Sequence, residues 1–187
     1  MRSLSLAAVS SLVGSLAGAP AVATGLEIEV AGEANGTIVV DLLEDVAPQH
    51  VEQIASIAAS GQYDNVVFHR VIDGFMAQTG DVEHGVFGGN MARAGTGGSD
   101  LPDLPAEFSD VPFERGVVGM ARAQDPNSAN SQFFIMFAPG DFLNGQYTVV
   151  GRVTGGMEIV DAIKRGAGRN GAVVGEPDRM VRVTVTE

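Results

Sequence analysis

One arginine lies in a strongly apolar segment and is the residue with the clearest chemical potential. Arg70 sits within FHRVIDGFMAQ, residues 68–78, among Phe, Ile and Met side chains. Long basic side chains often bury their stems and keep the charge in water, so Arg70 could reach solvent or pair with Asp73 or a more distant acid. The alternative is a guanidinium aimed at a carbonyl or amide inside an apolar pocket. The residues by themselves leave both interpretations open.

Most other catalytic chemistries lack the residues that they need. The chain has no Cys, which excludes disulfides, Cys nucleophiles, zinc–thiolate sites and iron–sulfur clusters. His50, His69 and His84 are not at metal-ligand spacing, and no H-E-x-x-H occurs. Composition does not exclude a Ser–His–Asp triad, but the G-x-S-x-G elbow is absent. Residues 95–98 lack the Lys-Ser/Thr that follows the glycines of a phosphate loop. Residues 125–130 lack the glycine at the sixth position and the glutamate at the twelfth position of a calcium loop. We therefore expect no metal and no cofactor.

Length, composition and charge exclude further classes. A chain of 187 residues that is 45% hydrophobic can bury a core in one domain, or at most two small ones. The 25 glycines favour short strands and many turns. The formal net charge of −12 repels phosphate, so we expect neither nucleic-acid binding nor attachment to an anionic membrane surface.

The first 23 residues have the pattern of a cleavable secretory signal peptide. Arg2 precedes an uncharged run of apolar and small residues, and Ala21-Val22-Ala23 matches a small-x-small cleavage pattern. A second candidate cut follows Ala19, and a retained anchor or a plain tail is the alternative. We predict a signal peptide over 1–23 and a folded domain over 24–187, exported and, in a Gram-negative source, periplasmic, with no membrane attachment once the signal is removed.

The strands and helices that must position Arg70 follow from periodicity. LEIEV at 26–30 alternates as a half-buried strand does, and Asn35-Gly36 favours a hairpin turn before a second strand. Helical spacing from Pro48 to Gly61, and again over 157–165, predicts two helices. Residues 84–107 form a long glycine-rich loop. With further strand-like runs at 65–71, 116–121, 132–137, 147–153 and 180–186, the pattern favours a β-barrel or sandwich covered by two helices.

Three long motifs resemble the cyclophilin family of peptidyl-prolyl cis-trans isomerases. They are FHRVIDGFMAQTGD at 68–81, GVVGMARAQDPNSANSQFFIMF at 116–137 and FLNGQYTVVGRVTGGMEIVDAIKR at 142–165, with GTGG at 95–98 between the first two. The similarity extends over roughly residues 26–186. The resemblance implies a mainly β fold, an eight-stranded antiparallel closed barrel capped by two α-helices. The short chain and the predicted signal are similar to bacterial periplasmic members.

The resemblance also implies a role for each residue that matches the family motifs. Arg70 resembles the catalytic arginine, and the adjacent His69 is expected to support it. Gln78 and Gln132 resemble the polar groups that orient Arg70 and the substrate backbone. The family's proline-ring pocket and its neighbouring substrate contacts map to Phe75, Met76, Phe134, Leu143, Ala121, Arg122, Phe142 and Tyr147.

Three positions and one loop depart from the common family pattern. Arg122 is commonly Asn, Tyr147 replaces a His at the pocket rim, and Phe142 replaces the Trp of many eukaryotic members. Loss of the indole N–H removes a donor, so we expect weak cyclosporin binding while isomerase activity survives. Residues 99–113 also differ from the family loop, which leaves the preference for residues flanking proline open.

Isomerisation suits a chain without a nucleophile or paired catalytic carboxylates, because rotation about the X–Pro bond makes and breaks no bond. We expect a monomeric isomerase whose partners are proline-containing, unfolded or partly folded polypeptides, and which assists folding after export. One alternative is a non-catalytic module or chaperone that holds a proline segment in the same groove. Another is a lipocalin-like ligand barrel, which fits the number of strands but not the motifs.

Overall fold

Nine strands form a single antiparallel sheet, with two α-helices packed beside it. The computed structural model describes residues 24–187, so the predicted signal peptide lies outside the described residues. The helices are α1 (Pro48–Ala59) and α2 (Met157–Ala162). The strands are β1 (Gly25–Ala31), β2 (Gly36–Leu42), β3 (Val66–Val67), β4 (Arg70–Ile72), β5 (Met76–Thr79), β6 (Val117–Met120), β7 (Phe133–Met136), β8 (Val149–Gly155) and β9 (Arg179–Thr186).

The sheet curls into a half-barrel, and the expected closed barrel of eight strands is wrong. The strand order is β3-β9-β1-β2-β8-β6-β7-β5-β4, so β3 and β4 are the two edges. They are consecutive in the chain, yet no ladder joins them. Between them, the Phe68 N–H donates to the Asp178 carbonyl, and the His69 carbonyl accepts from the Val173 N–H. Because these groups pair with other segments, the backbone hydrogen bonds that would close the sheet are not made.

Alternation of apolar and charged residues decides which face of β1 is buried, whereas β6 and β7 are buried at every residue. In β1, Leu26, Ile28 and Val30 are buried, whereas Glu27 and Glu29 face solvent. The predicted strands at 26–30 and 180–186 are confirmed, as are both helices, although α2 ends at Ala162. The run at 65–71 is divided between β3 and β4, and β5 was not predicted. The turn before β2 spans residues 32–35, and Gly36 is already the first residue of that strand.

A distant carboxylate completes the first turn of α1. Ala47 precedes the helix without a side-chain cap, and Pro48 occupies its first turn. The carboxylate of Glu107 accepts hydrogen bonds from the backbone N–H of Gln49 (3.3 Å) and of His50 (3.1 Å), and from the buried His50 Nδ1 (2.6 Å). Glu107 therefore satisfies helix donors that would otherwise be unpaired and ties the loop over 99–113 to the body of the domain.

Two groups of buried apolar side chains fill the domain. The larger lies between the curled sheet and the helices, and the smaller is separate and includes Met76, Phe113, Phe134 and Leu143. Within residues 24–187, no helix is long and apolar enough to cross a membrane. The same part of the chain holds no group of three potential metal-ligating side chains.

Candidate active site

A single register row across four strands aligns the central residues of the site. Arg70 on β4 pairs with Gln78 on β5, Gln78 pairs with Phe134 on β7, and Phe134 pairs with Gly119 on β6. Residues that are paired across neighbouring strands project from the same face of a sheet. The alternating pattern of these strands therefore places the guanidinium, an amide and an aromatic ring side by side.

Three contacts hold the Arg70 guanidinium. Its Nε donates to the backbone carbonyl of Asn170 at 3.0 Å, and its Nη1 donates to Gln78 Oε1 at 3.0 Å. The same Nη1 lies 3.9 Å from the Met76 sulfur. Among the described residues, Nη2 has no hydrogen-bond partner. The Nε–H and one N–H of Nη1 are thus engaged, and the Arg70 side chain lines the adjoining cavity.

No carboxylate of residues 24–187 holds Arg70, which removes the ion pair with Asp73 or a more distant acid from the interpretations left open above. Asp73 pairs instead with Arg165, whose Nε lies 2.9 Å from Asp73 Oδ1. No acidic oxygen of residues 24–187 lies within ion-pair distance of the Arg70 guanidinium. Partial burial lowers the pKa of Arg70 from its ordinary value, and the nearby Tyr147 opposes that shift.

Beside Arg70 lies a cavity of about 490 Å³ that both polar and apolar side chains line. It brings together ten of the residues singled out from the sequence and adds Gln146. The lining residues are Arg70, Phe75, Met76, Gln78, Ala121, Arg122, Phe134, Phe142, Leu143, Gln146 and Tyr147. Of the other two predicted residues, Gln132 lines an adjoining cavity, whereas His69 is buried and lines neither.

The floor of the cavity is rigid because its side chains are packed from below. Met76, Phe134 and Leu143 are each at most 5% exposed. The ring of Phe113, which sequence reasoning did not select, stacks on Phe134 with centroids 5.8 Å apart. This stack needs a glycine at 119, since a Cβ there would lie 2.6 Å from both rings. A floor of this kind keeps one shape as a ligand enters.

The rim of the cavity is aromatic and partly open to solvent. Phe142 is 69% exposed, and its ring lies 5.4 Å from that of Phe75. The Tyr147 ring meets Phe134 edge-on, and the Arg122 guanidinium lies over the same Tyr147 ring at 4.4 Å. Arg122 and Tyr147, two of the three residues that depart from the family pattern, therefore contact each other as a cation stacked on an aromatic face.

Backbone groups near Arg122 are already partly paired. Its guanidinium donates to the carbonyls of Ala123 and Gln146, both at 2.9 Å, and so joins two loops at the rim. The Ala121 N–H donates to the Gln132 carbonyl at 2.9 Å. A peptide laid along this edge would therefore have the Ala121 carbonyl, rather than its N–H, available as a partner.

A chain of amide hydrogen bonds runs from Arg70 to the adjoining loop. Gln78 accepts from Arg70 and donates from Nε2 to Gln132 Oε1 at 2.9 Å. Gln132 in turn donates to the Gly97 carbonyl at 2.8 Å. Because each amide accepts one hydrogen bond through its oxygen and donates another through its nitrogen, the Gln78 oxygen is held toward Arg70. The predicted orienting residues, Gln78 and Gln132, thus occupy successive positions in one network.

Asp81, to which the sequence reasoning assigned no role, fixes the far end of this network. Its fully buried carboxylate accepts from four backbone N–H groups, those of Glu83, His84, Gly95 (2.6 Å) and Gly97 (3.1 Å). Burial raises the pKa of Asp81, but the N–H groups of His84, Gly97 and Gly95 outweigh that effect and lower it. The carboxylate thereby holds the glycine loop that lines a second cavity of about 410 Å³, which also shares Gln78, Ala121 and Arg122 with the first.

His69 is buried beside the site and is uncharged at neutral pH. Burial lowers the pKa of its imidazole to about 4. Its ring packs against Gly95, where a Cβ would lie 3.0 Å from Nε2. Next to the Arg70 cation, a neutral ring adds no repulsive charge.

Sequence reasoning missed four residues that shape the site: Asp81, Phe113, Gln146 and Asn170. Asp81 and Gln146 lie inside the quoted motifs, so the motifs marked their positions without indicating what they do. Asn170 contributes a backbone carbonyl, and Phe113 fills the space above a glycine. Neither residue carries a local signal for its role.

The site thus combines a hydrogen-bonded arginine with a cavity that has an apolar floor and an aromatic rim, on an antiparallel half-barrel. Comparison with known proteins identifies the family that has this fold. Residues 26–185 match the family model described as cyclophilin type peptidyl-prolyl cis-trans isomerase. The chain belongs to that family, and it is an isomerase of X–Pro peptide bonds.

Individual relatives agree with this assignment. A probable peptidyl-prolyl cis-trans isomerase of Brucella suis is 58% identical over 153 residues, which cover 81% of this chain and 78% of the relative. The crystal structure of a Cryptosporidium parvum cyclophilin type peptidyl-prolyl cis-trans isomerase is similar in fold, with a TM-score of 0.75, 24% identity, and coverage of 89% of this chain and 99% of that one. A cyclophilin from Hirschia baltica, 25% identical, gives a TM-score of 0.69 over 86% of this chain and 73% of its own.

Proposed function

We propose that Arg70 is the catalytic residue, that the cavity beside it binds the proline ring, and that the enzyme acts on unfolded or partly folded polypeptides after export. The observation that carries the catalytic part is the Arg70 guanidinium, which Gln78 and Asn170 hold, which pairs with no carboxylate of residues 24–187, and which adjoins a cavity with an apolar floor.

The barrier to be lowered comes from amide resonance. Rotation about an X–Pro bond faces roughly 18–20 kcal/mol and takes tens to hundreds of seconds without catalysis. A ten-thousandfold acceleration requires a reduction of about 5.5 kcal/mol. Since no bond forms or breaks, the whole reduction must come from binding the twisted imide more tightly than either planar form.

Arg70 supplies an interaction that distinguishes the twisted state from the planar ones. When the X–Pro bond twists, the prolyl nitrogen loses conjugation and its lone pair becomes available to a donor. A charge-assisted hydrogen bond to that nitrogen contributes about 1.5–3 kcal/mol. The Nη2 nitrogen is the group left to make it, because Nε and Nη1 are already engaged. Burial of the ring against Met76, Phe134 and Leu143 holds both forms alike and so anchors the substrate without accelerating it.

Removal of the imide from water adds a second contribution. The planar amide has more charge separation than the twisted one, so a less polar surrounding favours the twisted form. The apolar walls of the cavity, Phe75 and Phe134 among them, provide such a surrounding. The residue before proline would then lie along the Ala121 carbonyl, between the two cavities. Because the proline ring and the residue before it are both held, rotation is confined to the X–Pro peptide bond.

The catalytic assignment is tested by isomerisation of a cis-proline tetrapeptide in a protease-coupled assay. Arg70→Ala is expected to lower kcat/KM by about 10- to 150-fold, the value of one charge-assisted hydrogen bond. Arg70→Lys is expected to recover little, because an ammonium lacks the planar fork that Gln78 and the Asn170 carbonyl hold. The exposed Arg182→Ala is the matched control and should retain the wild-type rate.

The same assay separates catalysis from simple binding. If Arg70→Ala and wild type isomerise the peptide at equal rates, Arg70 is not the catalytic residue. If neither accelerates the reaction over the uncatalysed rate while the peptide still binds, the groove is a non-catalytic binding module for this substrate.

Export is supported by the sequence of residues 1–23, with its single early charge, uncharged apolar run and small-x-small pattern. Expression of the full chain in a Gram-negative host, followed by fractionation and N-terminal sequencing, tests it. A mature chain that begins at residue 20 or 24 in the periplasmic fraction is the expected result. A23R combined with A19R should block processing. Full-length chain confined to the cytoplasm would contradict the proposal.

A further inference from the structure

The backbone carbonyl that fixes Arg70 comes from a part of the chain far from the Arg70 motif. Asn170 lies 100 residues further along, in a short 3₁₀ turn over Arg169–Gly171. Its carbonyl accepts the Nε–H of Arg70 at 3.0 Å, on the side of the fork opposite Gln78. An arginine side chain has several rotatable bonds, and one contact at Nη1 would leave the guanidinium plane able to turn. A second contact at Nε fixes that plane and hence the direction of Nη2.

The carbonyl points at Arg70 because Asn170 adopts a left-handed conformation, with φ 57° and ψ 27°. Asn tolerates this region better than other residues with a Cβ, and a β-branched residue there is a clear outlier. Gly171 follows with φ +79°, and a Cβ on it would collide with the Ile72 side chain. The turn is therefore fitted closely against the end of β4.

The segment around this turn is tied to the open edge of the sheet along β4. Ala172 forms a bridge with Arg70 itself, the Val173 N–H donates to the His69 carbonyl, and the Gly166 N–H donates to the Val71 carbonyl. The segment over 166–173, which we call the edge segment, thus follows β4 on both sides of Arg70. Any change of backbone conformation at Asn170 would be transmitted directly to the Nε contact.

We propose that Asn170 is a positioning residue for catalysis, and that its left-handed backbone sets the orientation of the Arg70 guanidinium toward the prolyl nitrogen. The inference rests on the proposed role of Arg70. The side chain of Asn170 matters only through the φ angle that it permits, because the contact is made by the backbone carbonyl. Substitutions should therefore rank by their tolerance of positive φ rather than by polarity.

The chain provides a matched control for this idea. Among the described residues, Asn65 is the other non-glycine residue with positive φ, at 61°. Its N–H donates to the Met180 carbonyl and its carbonyl accepts from the Phe87 N–H, so it lies in a comparable tight turn that does not contact Arg70. Asn65→Val imposes the same backbone strain at a place away from the site.

The experiment measures kcat and KM for Asn170→Gly, Asn170→Ala, Asn170→Val and Asn65→Val on one cis-proline peptide. Asn170→Val is expected to lower kcat by about 2- to 10-fold, the value of one hydrogen bond, with KM unchanged. Asn170→Ala should fall between Val and wild type, and Asn170→Gly should recover the wild-type kcat. Asn65→Val should lower thermal stability without lowering kcat. If Asn170→Val does not fold, the comparison of Ala with Gly decides the question.

Two further readouts distinguish positioning from general destabilisation. The side-chain Nε–H of Arg70, assigned by its loss in Arg70→Ala, should be protected from solvent exchange in wild type and in Asn170→Gly but not in Asn170→Val. In the Arg70→Ala background, Asn170→Val should cause no further loss of kcat.

The inference is overturned if kcat is the same for Asn170→Gly and Asn170→Ala, if Asn65→Val lowers kcat as much as Asn170→Val, or if the loss persists without Arg70. Its failure differs from failure of the proposed function. If Arg70→Ala lowers the rate but the Asn170 variants do not, only this inference is wrong. If Arg70→Ala has wild-type activity, the catalytic assignment itself is wrong.

Discussion

Protonation of the buried His69 should make the domain lose stability in mild acid. Burial lowers the pKa of this imidazole from 6.5 to about 4 in the folded protein. As the pH falls below 6.5, the unfolded chain takes up a proton that the folded chain refuses, so the free energy of unfolding decreases. The decrease ends near pH 4, where the folded state is protonated as well. At 1.36 kcal/mol for each pKa unit, the full effect is about 3 kcal/mol, of which about 2 kcal/mol is lost between pH 7 and pH 4.5.

Urea unfolding of wild type and His69→Gln at several pH values between 7 and 4.5 measures this effect. The variant retains Glu107, which does not interact with His69, so the acid dependence of Glu107 cancels in the difference. Asp81 does interact with His69, but its pKa is lowered from 3.8 in the folded protein and so lies below the measured range. His69→Gln is expected to be less stable than wild type at pH 7, because the ring is buried, but to lose about 2 kcal/mol less on acidification. Parallel pH profiles for the two proteins would refute the reasoning that burial keeps His69 neutral.

Three other substitutions have defined outcomes. Glu107→Ala removes the acceptor at the first turn of α1 and should lower the free energy of unfolding by about 1–3 kcal/mol in urea titrations at pH 7; an unchanged midpoint would contradict the capping role. Gln132→Ala removes the oxygen that accepts a hydrogen bond from Gln78 and should lower kcat by about 2- to 10-fold, whereas the exposed Gln62→Ala should leave kcat unchanged. If Gln132→Ala has the wild-type kcat, Gln132 does not help to orient Arg70. Phe142→Trp restores an indole donor at the rim and should tighten cyclosporin binding in calorimetry by about 2- to 10-fold, and an unchanged Kd would show that this donor is not what limits affinity.

The parts of the fold that were predictable are those determined by local periodicity. Leu26, Ile28 and Val30 alternate with glutamates, and this pattern alone determines which face of β1 is buried. Closure of the sheet was not predictable in the same way. It depends on whether the backbone at Phe68 and His69 pairs with the opposite edge or with the segments at Asp178 and Val173. No side-chain pattern records that choice, and the division of the run at 65–71 into two short strands follows from it.

The site was predictable to the extent that its residues lie in long motifs. Phe75, Phe134 and Leu143 taken singly are ordinary core residues, and only their joint resemblance to one family marked them as a cavity. What the sequence did not reveal is the support around them. Asp81 acts through four backbone N–H groups, and Asn170 acts through its own carbonyl. Such contacts depend on where distant loops meet rather than on residue type.

The central claim is that Arg70 stabilises the twisted imide rather than holding the peptide. The most direct test is NMR exchange spectroscopy of a proline peptide with wild type and Arg70→Ala, which measures the peptide Kd and the cis–trans rate of the bound peptide in the same samples. The expected result is a bound-state rate about 10- to 150-fold lower in Arg70→Ala, with a Kd close to that of wild type. A bound-state rate equal to that of wild type, with all lost activity explained by weaker binding, would contradict the claim.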